Sequence, residues 1–381
     1  MKKKSWIAGI ACLLIGVMVS TPVVADEKYE YNFEIPQVIT EEQTEITLTL
    51  AEAKAMVLEG SPELELSEVG LDKAEFLDRK QKNDSNDINT KSYSIYSTNY
   101  ERSLGKYVAK KATEVGLQVA EASYAVTENA ILFGVQSSYY ELLKAQASLK
   151  NAENTLARAQ EQLRITQSFF DAGMVSQGEV MGAQALVAGK KADLAGKQAS
   201  HMNAMMDLAA QLSLPLNTPI VATDEFSYKP VEIDLDETIA EGMEKDVALI
   251  GAKGAYEIAA TGFAVADAYY TQNTNIYKEQ RYAMLEAKLQ YESQLQQSEL
   301  KIRSAYTNLA ATEEAYLSFL ENVKYSKENY RVVKLRYQEG MATRLEMEEA
   351  EGALAEAEDA ATSMLLNYEL VKSSFTYSLF M

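Results

Sequence analysis

Leu142, Leu149, Leu156, Leu163 and Phe170 recur at every seventh position, and Ala145, Ala152, Ala159 and Thr166 follow three residues behind each of the first four. Large and small side chains alternating at heptad spacing predict a long helix with a tight coiled-coil seam. Leu309, Tyr316, Val323, Tyr330 and Tyr337 keep the same spacing further along. The segment after Ser176 carries a different stripe: Gly182, Ala185, Gly189, Ala192, Gly196 and Ala199. A glycine costs about 1 kcal/mol in a helix interior. Glycines in such regular register therefore predict a neighbouring helix whose backbone comes close. Proline marks the same blocks. None occurs between Pro62 and Pro215 and none after Pro230, which leaves two long stretches without the strongest helix breaker. A helix over 103–171 would run about 100 Å. The return over 176–213, and shorter helices over 48–82, would lie beside it.

The two blocks repeat one another. Phe170-Asp171-Ala172-Gly173-Met174-Val175-Ser176 stands over Tyr337-Gln338-Glu339-Gly340-Met341-Ala342-Thr343 with no gap. The same shift of 167 sets Tyr139 on Tyr306, Leu142 on Leu309, Glu161 on Glu328, Arg164 on Arg331, Glu179 on Glu346 and Ala183 on Ala350. It also sets Leu212 on Leu379. The openings of the repeats, at Leu48 and Ile233, are offset by 185 instead, so repeat one holds 18 more residues (185 minus 167) between Ala74 and Gln136. Internal duplication takes precedence over other fold signals. The predicted fold is all-α: elongated coiled-coil hairpins in two tandem repeats, 48–214 and 233–381, joined by an extended linker over 215–232. Gly173 and Gly340 are expected to make φ > 0 turns, with Ser176 and Thr343 capping the return helices.

Residues 1–25 read as an export signal: Lys2 to Lys4, an apolar run from Ala8 to Val19, and Val23-Val24-Ala25 before Asp26. An acidic extended leader follows over 26–47. Cleavage would remove the only Cys (Cys12) and the only Trp (Trp6). What remains has one histidine, His201, at heptad spacing after Val180, Val187 and Leu194, a position expected to pack at a helix interface. No catalytic, cofactor or His/Cys metal site is expected, since no nucleophile–base pair, phosphate loop or ligand cluster is present. The chain carries 36 basic and 56 acidic residues, net −20. Nucleic acid is excluded as a partner, because phosphate binding needs a basic surface.

The Leu48-Thr49-Leu50-Ala51-Glu52-Ala53 opening, the Gly173 and Gly340 turns, and the segment Arg336-Tyr337-Gln338-Glu339-Gly340-Met341-Ala342-Thr343 resemble the TolC family of outer-membrane efflux proteins, over about 48–381. The resemblance implies a homotrimer whose helices form a hollow α-barrel. It also implies a periplasmic-type adaptor protein at the tip and an inner-membrane ABC or other exporter. Tip residues carried over are Phe170, Gly173, Met174, Ser176, Tyr337, Gly340, Met341, Thr343 and Arg344. Glu346 and Glu349 are candidates for an acidic constriction.

One departure from the family is expected. Family members that cross an outer membrane insert two β-strands per repeat opposite the tip, and each spanning strand needs about 9–11 residues. Only 264–277 lacks a helical pattern in repeat two, and the extra residues of repeat one, near 79–102, form no apolar band. The membrane strands are thus expected to be missing or vestigial. Export to the cell envelope is expected, and the outer membrane is implied by the resemblance alone. A non-conducting structural rod of the envelope is the alternative function. An adaptor is disfavoured because flanking β-rich domains are absent.

Overall fold

The computed structural model describes residues 45–91, 98–224 and 227–378. The export signal and most of the leader lie outside the described residues, as do 92–97. Within the described residues, β1 (Ile46–Leu48) leads into α1 (Leu50–Gly60) and α2 (Pro62–Asp87). Next come α3 (Asn99–Ser103), a π-helical turn (Leu104–Val108), and the long α4 (Ala109–Asp171) with its return α5 (Gln177–Gln211). The second half holds β2 (Ile220–Ala222), α6 (Leu235–Lys245), α7 (Val247–Tyr269), α8 (Asn275–Gln338) and α9 (Arg344–Thr376). The all-α hairpin fold is what the heptads predicted.

Local chemistry sets the helix starts. Thr49 and Glu52 form a capping box ahead of α1, Ser61 caps α2 with Pro62 in its first turn, and Asp234 and Asp246 cap α6 and α7. Each cap satisfies backbone N–H groups that the helix cannot satisfy itself. Once nucleated, α4 and α8 run for 63 and 64 residues, about 95 Å each. Helix α4 is central, packing against α5, α2, α7 and α9, while α8 packs against α7 and α9. Duplication is visible in side-chain detail: Arg164 pairs with Glu161 at 2.7 Å, and Arg331 pairs with Glu328 at 2.6 Å.

The main core sits at the roots of the hairpins, away from the Gly turns. Val57, Val135, Tyr139, Leu142, Leu208 and Ile220 are buried there. The two lead-in segments meet in this core. Strands β1 and β2 pair in parallel, Ile46 with Ile220 through Leu48 with Ala222. A smaller cluster holds Leu309, Tyr368 and Phe375, with the Tyr228 ring packed between Tyr316 and Tyr368.

Three details differ from the expectations. Residues 264–269 are helical, so the break in repeat two is only 270–274; the apolar run Ala264-Val265-Ala266 continues α7 and buries Val265 and Ala266. The start near 103 is a π-helical turn, whose loosened Gly105 carbonyl accepts from Gln81 Nε2 at 3.2 Å while Lys106 Nζ donates to the Ile88 carbonyl at 3.1 Å. The shift of 167 does not hold at the ends of the return helices, while Leu379, set on Leu212 by that shift, lies outside the described residues. Ser213 and Ser378 both sit in the left-handed region, at φ 55° and 54°, immediately after matching helix caps at Leu212 and Tyr377. The offset there is 165 (378 minus 213), because α9 is two residues shorter than α5.

Opposite the Gly turns, α2 connects to α3 through 88–98, and α7 to α8 through 270–274. Neither is long enough for two spanning strands of about 9–11 residues and a turn. The helix ends beside these connections meet: Tyr100 packs edge-on against Tyr270 at 5.0 Å, and Ser103 Oγ lies within hydrogen-bond reach, 2.9 Å, of the Tyr269 hydroxyl. No described helix is long and apolar enough to cross a membrane.

Candidate functional site

Both tips are built by the same backbone device. At the end of α4, Gly173 N donates to the Phe170 carbonyl at 2.8 Å, and Met174 N to the Phe169 carbonyl at 2.8 Å. At the end of α8, Gly340 N donates to Tyr337 at 3.0 Å and Met341 N to Arg336 at 2.7 Å. This crossed pair of bonds is a Schellman motif, which requires a left-handed residue after the cap. Gly173 has φ 73° and Gly340 φ 72°. No atom lies within 4 Å of where a Cβ would stand on either glycine, so backbone strain alone disfavours a side chain. We expect Gly173→Ala and Gly340→Ala each to lower the free energy of urea unfolding by about 1–2 kcal/mol, with asparagine at the same sites costing less.

The return helices start on capping boxes. Ser176 Oγ accepts from Glu179 N at 3.4 Å, and Thr343 Oγ1 accepts from Glu346 N at 3.2 Å. In return, Ser176 N donates to Glu179 Oε1 at 3.3 Å and Thr343 N to Glu346 Oε2 at 2.6 Å. The sequence reading found the two hydroxyls but missed their glutamates, although Ser-x-x-Glu and Thr-x-x-Glu ahead of apolar runs carry the signal. Accepting from the Thr343 backbone holds the Glu346 carboxyl below its usual range. Glu346 is therefore a cap residue, whereas Glu349 points to solvent one turn on. Arg344, half-buried, pairs with Glu348 at 2.7 Å.

The tips expose apolar side chains. Met174 and Met341 are each 65% exposed, and Phe169, Phe170, Tyr337 and Leu345 are exposed beside them. Phe169 and Leu345 were not singled out in the sequence and join this exposed surface. The two tips lie at one end of the molecule. Arg344 of the second tip lowers the pKa of Glu161 on α4, after the larger effect of Arg164, and Arg158 Nη1 donates to Glu351 Oε1 at 3.2 Å between α4 and α9. Between the hairpins runs a groove of about 560 Å³ with Lys190 and Lys197 on one wall and Glu356 and Asp359 on the other. Among the described residues no group of three His, Cys, Asp or Glu could hold a metal ion.

The sequence model of the outer membrane efflux proteins matches residues 82–213, which include α4, the first tip and α5. Over those residues the chain is similar to the outer membrane efflux proteins. It is 24% identical to outer membrane protein TolC of Vibrio cholerae over 170 residues, 44% of this chain and 38% of that protein. The match thus spans well under half of that relative's length. The fold is shared with solved channels over far more of the chain. The CmeC outer membrane channel of Campylobacter jejuni superposes with TM-score 0.68 at 14% identity, covering 86% of this chain and 85% of CmeC. The outer membrane protein VceC of Vibrio cholerae gives 0.65 at 17% identity, covering 87% and 95%.

Proposed function

We propose that three copies of this TolC-like chain close into a helical tube that serves as the conduit of an export machine. The observation that carries this reading is the small-residue stripe of α5. Gly182, Gly189 and Gly196 meet nothing within 4 Å in the described chain, and Ala185, Ala192 and Ala199 are exposed between them. Three interior glycines weaken a helix by about 1 kcal/mol each. Close packing against a helix of a neighbouring copy offsets that cost. The exposed Leu317, Tyr325 and Val332 of α8 supply large side chains for such a seam. A seam between two different faces is heterologous, and repeating it closes a ring.

In this reading substrates pass outward from an inner-membrane transporter through a periplasmic-type adaptor. The adaptor docks on the paired tips, on Phe170, Met174, Tyr337 and Met341, whose positions are fixed by the glycine turns and by the Ser176 and Thr343 caps, with Arg344 beside them. Exposed Glu349, repeated around the ring, favours cations at the entrance; Glu346 contributes less because its carboxylate is shared with the cap. The tube stands in the cell envelope, and its short connections at 88–98 and 270–274 leave any outer-membrane passage to another component. Native mass measurement of the purified chain tests the assembly. A trimer is expected. A monomer at every concentration, with adaptor and transporter supplied, overturns the conduit and leaves the structural rod.

A further inference from the structure

The single histidine of the chain lies among three methionines, in His201-Met202-Asn203-Ala204-Met205-Met206. We propose that this turn of α5 binds a soft monovalent cation, Cu(I) or its redox-silent analogue Ag(I). Helix α5 is unbroken from Gln177 to Gln211. His201 and Met205 are therefore i,i+4 neighbours, as are Met202 and Met206, while Met202 and Met205 are i,i+3. Such pairs stand about 5–6 Å apart at Cβ, a separation that one ion can bridge with an imidazole nitrogen and a thioether sulfur.

Three observations favour a site over ordinary packing. First, His201 is half-buried and makes no hydrogen bond or ion pair with any described residue, and its ring nitrogens are not among the buried atoms, so they stay open to a ligand. Second, Met205 packs against the main core, which anchors one donor, but Met202 is 57% exposed. Core filling accounts for the first methionine and not for the second. Third, the turn carries no carboxylate, and no group of three His, Cys, Asp or Glu exists among the described residues to hold a harder ion. Thioether with imidazole selects Cu(I)-type ions over Mg(II) or Ca(II), which need oxygen ligands. The proposal does not depend on the conduit reading, since the donors come from one helix of one chain.

Calorimetric titration of the untagged chain with Ag(I) in chloride-free buffer, with proton NMR of the one imidazole, tests it. One ion per chain is expected, together with movement of the His201 ring resonances as the ion binds. Met202→Leu with Met205→Leu keeps volume and helix propensity and is expected to weaken binding about tenfold or more, while Met347→Leu with Met364→Leu changes it less than about twofold. Imidazole resonances that stay fixed at saturating Ag(I) overturn the site without reference to any variant. Equal affinity in the Met202/Met205 variant overturns it as well.

Discussion

Leu142→Ala is expected to lower the free energy of unfolding by about 4 kcal/mol, whereas Leu163→Ala, one arm's length nearer the tip, costs about 1 kcal/mol in the isolated chain. Both leucines occupy the same heptad position. Leu142 is 0% exposed, enclosed by the root core beside Tyr139 and Leu208, so truncation leaves a cavity that a rigid three-helix junction cannot fill. Leu163 is only half-buried, so its truncation opens less enclosed space. Urea unfolding of the two variants measures the difference. Equal costs would mean that the hairpin arm is as tightly held as the root. If Leu163→Ala becomes costlier as protein concentration rises, the second layer of packing is supplied by assembly.

That gradient explains which parts of the structure were legible beforehand. Heptads, the proline-free blocks and the Gly-Met turns are local signals, and they located the long helices and both tips. The buried Ala145, Ala152 and Ala159 are the small positions of the predicted seam. Pairing of β1 with β2 was not legible: each strand has three residues, and their partners lie 174 positions apart (220 minus 46), with no alternation long enough to set a register. The slip from 167 to 165 was hidden because α9 ends two residues earlier than α5 with no glycine at either cap. The left-handed Ser213 and Ser378 fill a position where glycine would have advertised the turn. Of the candidate site, the turn residues were visible and the glutamates of the capping boxes were not recognised. The half-buried face of His201 followed from its heptad spacing, but its want of a partner appears only when the neighbouring helices are in place.

Tyr139→Phe is expected to cost about 3 kcal/mol, although it removes one atom. The Tyr139 ring is 0% exposed. Its hydroxyl reaches the Leu48 carbonyl at 2.9 Å and the Asp224 carboxylate at 2.7 Å, and it accepts from Thr223 N at 3.2 Å and Asp224 N at 3.3 Å. The same carboxylate accepts from Leu50 N at 2.6 Å. One phenol thus ties the lead-in of repeat one to the linker that opens repeat two. A bond to a charged partner contributes about 1.5–3 kcal/mol, and groups stranded in a buried site add their own desolvation cost. Tyr306, its counterpart under the 167 shift, is half-buried in the second cluster and has no such role, so Tyr306→Phe should cost far less. A pH series separates the hydroxyl from mere packing. Burial, reinforced by the Asp224 hydrogen bond, pushes the Tyr139 pKa up to about 12, against about 10 when unfolded. Between those values the unfolded chain has released a proton that the folded chain retains, so the stability from this group is full below pH 10 and falls as pH rises toward 12. The phenylalanine variant lacks this part of the alkaline loss, so the gap between the two proteins should narrow across that window. A gap that stays constant through it would show that the hydroxyl does not carry the junction and would assign the cost to ring packing.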